Sequence, residues 1–307
     1  MPFRFGVALW QARGRAEWVA AARKIEALGY GIVTAPDHLT DRLAPMPALV
    51  SAAEATTRLR VGTNVLNNDL RHPVLVAREA ATVDLLTDGR LQLGLGAGSI
   101  RAEYEQAGLR FDRGALRVER LAEAVAIVKA LLAGERVDFA GKHYRVTGHK
   151  LEYLPVQKPR PPILIGGNGR RLLTLAAKEA DIVGFSGIDF RDGGAAPPDL
   201  SSWRTEAVGE RVRLVREVGG GRPTLNVLVQ RVAIADDRRA AAEALAARWP
   251  RLTTEEMLAS PYVLIGTESQ IADDIEARRE RWGFADYTIH EPYLDDFAPV
   301  AARLAGR

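Results

Sequence analysis

Cysteine is absent from this chain of 307 residues. No disulfide, no thiolate nucleophile and no cysteine-held metal can therefore form. Metal-ligand spacing is missing as well. The five histidines include no His-Glu-X-X-His pattern, so no metal site is expected. No Gly-X-Ser-X-Gly elbow occurs, which argues against an acyl-transfer hydrolase. No hydrophobic run approaches the roughly 18 residues of a membrane span. The first residues, Met1-Pro2-Phe3-Arg4-Phe5, enter a strand pattern without a signal-peptide core. A cytoplasmic location and no membrane partner are the expectations. Charge of one sign is not concentrated either. The formal charge is +3 and the pI about 9.2, yet the arginines interleave with acids, as in 276–281. That pattern fits a solvated mixed surface, and no nucleic-acid partner is expected.

What is present alternates. Strand patterns cover 3–9, 30–35, 59–66, 90–95, 162–165, 181–185, 224–234 and 285–290. Helical periodicity covers 15–28, 47–56, 73–86, 116–132, 172–180, 203–218, 238–249, 270–282 and 297–304. The segment 137–146 reads as a hairpin turning at Ala140-Gly141, followed by a proline-rich connector at 155–162. The glycine- and proline-rich stretch 187–199 reads as a mobile loop. Eight strands, each followed by a helical segment, predict an α/β fold. The expected architecture is a (β/α)8 TIM barrel with a short hairpin insertion between the fourth helix and fifth strand, spanning 1–307 as one domain. An open doubly wound sheet is the alternative. It usually carries a nucleotide fingerprint at its first strand–helix turn, and Trp10-Gln11-Ala12-Arg13-Gly14 lacks one.

In such a barrel the carboxyl ends of the strands form one rim that carries the active site. Four unusual loops fall there. Asp37-His38 follows the second strand; it offers a group that exchanges protons near neutrality and an acid to orient it, or simply a cap for the next helix. Asn64-Val65-Leu66-Asn67-Asn68 ends the third strand, either as a turn or as backbone shaped to present amides to a ring. Gly96-Ala97-Gly98-Ser99 ends the fourth strand. Its glycines remove side chains and would let a flat cofactor lie close. Gly166-Gly167-Asn168-Gly169-Arg170 precedes a helix, where exposed N–H groups and arginines suit a phosphate. His290 closes the last strand and could also face the rim. His72, His143 and His149 carry less information, the last two being expected on the surface.

These segments, in this order, resemble the bacterial luciferase-like superfamily, and more closely its branch of oxidoreductases that use the deazaflavin coenzyme F420. The resemblance covers nearly the whole chain. It rests on Pro36-Asp37-His38-Leu39, Arg60-Val61-Gly62-Thr63-Asn64-Val65-Leu66, Arg71-His72-Pro73, the run 89–98, the run 139–144 and Pro161-Pro162-Ile163-Leu164-Ile165-Gly166-Gly167. It implies a ring in the rim pocket supported by a non-proline cis peptide at Asn64–Val65. Asp37 and His38 would lie near the headgroup as the catalytic pair. Asn64, Val65, Leu66, Ala97, Gly98 and Ser99 would contact the ring, and Gly166, Gly167, Asn168, Gly169 and Arg170 the phosphate. Sugar-phosphate dehydrogenases of this branch carry a Trp near Arg42 and a Glu near Ser99. Both are missing here, so a sugar phosphate is not the expected substrate. His38 is then the best proton donor or acceptor, with His290 and Tyr104 behind it. The expectation is hydride transfer between the deazaflavin C5 and a small organic molecule, in a homodimer. The alternatives are FMN, in a two-component monooxygenase using reduced FMN and O₂, and a barrel that only binds flavin.

Overall fold

The computed structural model describes residues 2–40, 42–194, 199–249 and 251–307. Eight parallel staves close into a ring. They are β1 (Arg4–Ala8), β2 (Ile32–Ala35), β3 (Arg60–Thr63, resuming as Leu66–Asn67), β4 (Leu91–Gly96), β5 (Ile163–Gly166), β6 (Ile182–Phe185), β7 (Thr224–Leu228) and β8 (Phe284–His290). β1 pairs with β2 on one side and β8 on the other. β3 closes onto β4 through Val61↔Leu91 and again through Leu66↔Leu95. The staves are buried along nearly their whole length, as in β4 and β8. Strands covered on both faces carry near-continuous apolar runs, and these do.

Helices form the outer layer: α1 (Arg15–Ala27), α2 (Pro45–Glu54), α3 (Pro73–Leu86), α4 (Arg101–Gln106), α5 (Gly114–Leu132), α6 (Arg170–Glu179), α7 (Thr205–Gly219), α8 (Arg238–Arg248), α9 (Thr254–Ala259), α10 (Glu268–Trp282) and α11 (Leu294–Leu304). Their starts follow local chemistry. α2 and α3 begin on prolines, which lose nothing at a position whose N–H is unpaired anyway. α10 begins on a Thr267/Gln270 capping box. Between α5 and β5, Val137–Ala140 pairs antiparallel with Arg145–His149.

Two strand boundaries differ from expectation. The third strand is not continuous: it breaks after Thr63, at the cis Asn64–Val65 peptide bond that the family resemblance implies, and pairing resumes at Leu66. The expected strand 224–234 is two. β7 stops at Leu228, and Arg231–Ile234 leaves the barrel to pair in parallel with Val263–Gly266, a strand that sequence reading did not foresee. The run Leu228-Val229-Gln230-Arg231-Val232 holds no glycine or proline, so the departure leaves no mark in composition. It is made by hydrogen bonding: Val229 N–H still donates to Thr288, whereas Gln230 N–H turns to Tyr262. The loop 187–199 is tied down at both ends. Gly187 carbonyl accepts from Ser202 Oγ (2.6 Å) and Trp203 Nε1 (2.7 Å), and Asp189 bridges to Asp199. Residues 195–198 of that loop lie outside the described residues.

Candidate active site

The carboxyl ends of all eight staves open into one cavity of about 650 Å³. This is the size range of a cofactor or small-ligand site. His38, Val65, Gly98 and Gly167 share its wall, so the four rim loops expected from sequence do meet.

At the tip of β2, Asp37 and His38 point to different partners. His38 Nδ1 lies 2.8 Å from Oε1 of Glu103, which stands on α4 and is 3% exposed. A buried carboxylate in that position accepts the Nδ1 proton, fixes the ring and leaves Nε2 as the nitrogen free to exchange a proton. Asp37 does not orient His38. It accepts from Asn67 N–H (2.9 Å) and from Arg71 through both oxygens (2.5 and 3.1 Å). Asp37 therefore latches the β2 tip to the segment after the β3 break.

The break is paired rather than open. Thr63 Oγ1 donates to Gly94 carbonyl and accepts from Gly94 N–H, both at 2.8 Å. The hydroxyl replaces the ladder bonds that the two strands lose there. The glycines of β4 serve this arrangement. A Cβ on Gly94 would lie 1.9 Å from Thr63 carbonyl oxygen, and one on Gly96 would lie 2.4 Å from Val65 Cγ2. Gly98, at φ +75°, would place a Cβ 2.0 Å from the Tyr104 hydroxyl. The space these glycines leave is filled by Thr63, Val65 and Tyr104 of the protein itself. Val65, seated over Gly94, Gly96 and Gly166, presents an apolar side chain to the cavity.

Across the cavity, Gly166–Gly169 leads into α6. Gly169 caps the helix with no side-chain acceptor, so first-turn N–H groups remain for an anion. Arg170 and Arg171 occupy that turn and line the cavity. Asn168 is spent elsewhere. Its amide donates to Ser186 Oγ (3.0 Å) and Ile188 carbonyl (2.9 Å) and accepts from Gly187 N–H (3.2 Å), tying the β5 loop to the β6 loop.

The remaining wall runs from β6 through β8 to β1. His290 stands edge-to-face with Trp10, their ring centres 4.4 Å apart, and Arg42 stacks on the same indole at 4.8 Å. Burial, and then the nearby Arg231 charge, hold His290 down at about 4, so it is neutral at pH 7. The carboxylates on the cavity wall are engaged: Asp37 by Arg71, Glu103 by His38, and Asp189 by Arg211 at 3.1 Å.

Every residue expected to contact the cofactor lines this cavity except Leu66, which is buried beneath the resumed β3 segment. Tyr104 is likewise no proton donor here. Its hydroxyl bonds Asn67 (3.0 Å) and Asp69 (3.1 Å), and burial pushes it up to about 12. His143 and His149 are half-buried rather than exposed. Sequence reading missed Glu103 and Trp10. Trp10, from the β1 tip, lies against Arg42, and Glu103, from α4, lines the cavity with Ser99.

A closed parallel barrel with its polar residues gathered at the carboxyl ends of the strands is the layout of (β/α)8 enzymes, which carry their active sites at that rim. The chain belongs to the luciferase-like monooxygenase family, whose sequence profile matches residues 1–254. Solved structures share the fold at low identity. The coenzyme F420-dependent tetrahydromethanopterin reductase of Methanopyrus kandleri superposes with a TM-score of 0.77 at 17% identity, covering 99% of each chain. An F420-dependent secondary alcohol dehydrogenase, solved with an F420–acetone adduct, gives 0.77 at 19%, again over 99% of each chain. The oxygenating constituent of 3,6-diketocamphane monooxygenase from Pseudomonas putida, solved with FMN, gives 0.73 at 16%, covering 100% of this chain and 98% of that one.

Proposed function

We propose that this chain is an F420-dependent oxidoreductase acting on a small organic substrate, with His38 exchanging the proton that accompanies hydride movement. The observation that carries the proposal is the His38–Glu103 pair, 2.8 Å apart, inside the cavity floored by Val65. When bound, the deazaflavin would supply hydride donation or acceptance at its C5. The residues present fit such a group. Val65 offers an apolar support for a flat ring. The N–H groups opening α6, with Arg170 and Arg171, suit a phosphate. Because the wall carboxylates are already paired, Arg170 and Arg171 leave the mouth with a positive excess, which favours an anionic tail.

His38 is held by Glu103 in one orientation, so its Nε2 can give or take a proton at the substrate oxygen. Asp37 supports this indirectly by fixing the β2 tip through Arg71 and Asn67. A homodimer belongs to the same reading. Leu75 and Leu86, exposed on α3, are apolar surface that a second copy would cover, and sedimentation equilibrium tests it. A cytoplasmic location is also part of this reading; among the described residues no helix is long and apolar enough to cross a membrane.

Titration of the protein with oxidised and reduced F420 and with FMN is the deciding experiment. Binding of F420 in preference to FMN, with a substrate-dependent change in F420 absorbance, is expected. Tight FMN binding with no F420 binding, and oxygen consumption when a flavin reductase is added, would overturn the assignment in favour of a two-component monooxygenase. His38→Ala separates both enzymes from a flavin-storage barrel: it abolishes turnover in the first two and finds none to abolish in the last.

A further inference from the structure

The wall opposite Val65 has no role in the reading above, yet it is built to hold one group in one state. Gln230 donates its amide N–H groups to Ser186 carbonyl (2.8 Å) and Leu228 carbonyl (3.3 Å). Carbonyl oxygens only accept, so the amide cannot be turned around. Its Oε1 must therefore face His290 Nε2, at 3.4 Å. An oxygen facing a ring nitrogen requires the proton on that nitrogen. His290 is thus fixed as the Nε2–H tautomer, and Nδ1 is a bare acceptor. Nδ1 is buried and has no partner. That agrees with the assignment, because buried acceptors lacking a partner are less rare than buried N–H groups lacking one.

The Nε2–H is only loosely engaged. At 3.4 Å its contact with Gln230 is long for an N–H···O bond, so a better acceptor entering the cavity would take it. Around it, Trp10, Ser186, Asn226, Leu228 and Gln230 are uncharged; the nearby cations are Arg42, stacked on Trp10, and Arg231, which lies outside the cavity and donates to Gln230 carbonyl. A single neutral N–H in such a wall suits an oxygen that carries no full charge, since it does not offset the hydration a carboxylate would lose there.

We infer that His290 is a substrate-binding group whose Nε2–H hydrogen-bonds the carbonyl oxygen of an uncharged aldehyde or ketone, or the same oxygen of the matching alcohol, with Gln230 as the residue that positions it. A neutral imidazole donor of this kind stabilises negative charge developing on that oxygen while staying neutral itself. His38 and His290 then divide the work: one exchanges a proton and the other polarises.

The inference rests on the oxidoreductase reading, and the test separates the two. Side-chain ¹H–¹⁵N spectra of the labelled protein are recorded with and without F420, with His290→Phe to assign the signal. A single Nε2–H tautomer at pH 7 is expected. Its signal should shift on adding cyclohexanone and stay put with cyclohexanecarboxylate. Gln230→Leu should mix the tautomers and weaken cyclohexanone binding about fivefold, with F420 affinity unchanged. An Nδ1–H tautomer, an imidazolium at pH 7, a carboxylate that binds in place of the ketone, or a ketone that leaves the signal unmoved would overturn the inference. Failure of F420 to bind, with the ketone still shifting His290, would overturn the cofactor reading and leave this one standing.

Discussion

Adding one methyl group at Gly94 should be far more damaging than adding one at Gly31. The new Cβ at Gly94 would sit 1.9 Å from the Thr63 carbonyl oxygen and 3.2 Å from Val65 Cγ1. The obstacle is backbone at the end of a barrel strand, so no rotamer change relieves it. Forcing atoms into a filled core costs about 1–3 kcal/mol, more where backbone must move. The displacement would also part Thr63 Oγ1 from both Gly94 groups, at about 1 kcal/mol per hydrogen bond. Together these give roughly 3–5 kcal/mol, a large share of the 5–15 kcal/mol that holds a typical domain together. At Gly96 the obstacle is a methyl of Val65, 2.4 Å away. Gly96→Ala should cost less, about 1–3 kcal/mol, and should also push Val65 toward the cavity and weaken cofactor binding. Gly31, whose Cβ would find nothing nearer than 3.7 Å, serves as the control, with an expected change within about 0.5 kcal/mol. Urea denaturation followed by far-ultraviolet circular dichroism reads the stabilities, and fluorescence titration reads cofactor affinity. A Gly94→Ala protein as stable as Gly31→Ala would refute the account of the β3 break.

Three further outcomes are expected. Glu103→Gln keeps the shape but replaces a charge-assisted bond to His38 with a neutral one; kcat should fall about 10-fold or more, with cofactor affinity unchanged in a parallel titration. Asp37→Asn breaks a buried pair and leaves Arg71 without its counter-charge; the loss should be about 2–4 kcal/mol in thermal denaturation, and Arg71→Met should recover part of it in the double variant. His290 is neutral in the fold and titrates at 6.5 when unfolded and at about 4 when folded. The unfolded chain therefore binds the extra proton between those values, and stability present above pH 6.5 is lost as the pH falls. Between pH 7 and pH 5 the wild type should lose about 2 kcal/mol that His290→Phe does not, as measured by urea midpoints at the two pH values.

How the barrel could be read from sequence, and the wiring of its site could not, follows from the range of the forces involved. Alternation of apolar runs with helical periodicity is local, and eight β/α units have few ways to bury parallel strands other than closing. The rim was legible for the same reason: each loop lies immediately after its strand. Glu103 was not. It sits in the six-residue α4, too short to show a period, and its partner His38 is 65 positions away. Trp10 and His290 belong to opposite ends of the chain and meet only because β1 closes against β8. The strand Val263–Gly266 was missed because its partner is the continuation of β7, where nothing in the residue types marks the exit from the barrel.

The glycines of β4 show how a residue can be placed correctly for an incomplete reason. Their absence of side chains suggests room for a ligand, and they do lie on the cavity wall. Each potential Cβ, however, meets the protein first: Thr63 at Gly94, Val65 at Gly96 and Tyr104 at Gly98. The room is used to let β3 break and turn Val65 inward, and Val65 then becomes the surface a ring would touch. Under the proposed function, fit to a flat ring would therefore rest on a side chain that sits on glycines of β4 and β5. Exchanging Val65 for Ala, which removes two methyls and adds no clash, should lower affinity for a flat cofactor while leaving the β3–β4 pairing intact. Exchanging the glycines beneath it disturbs both at once.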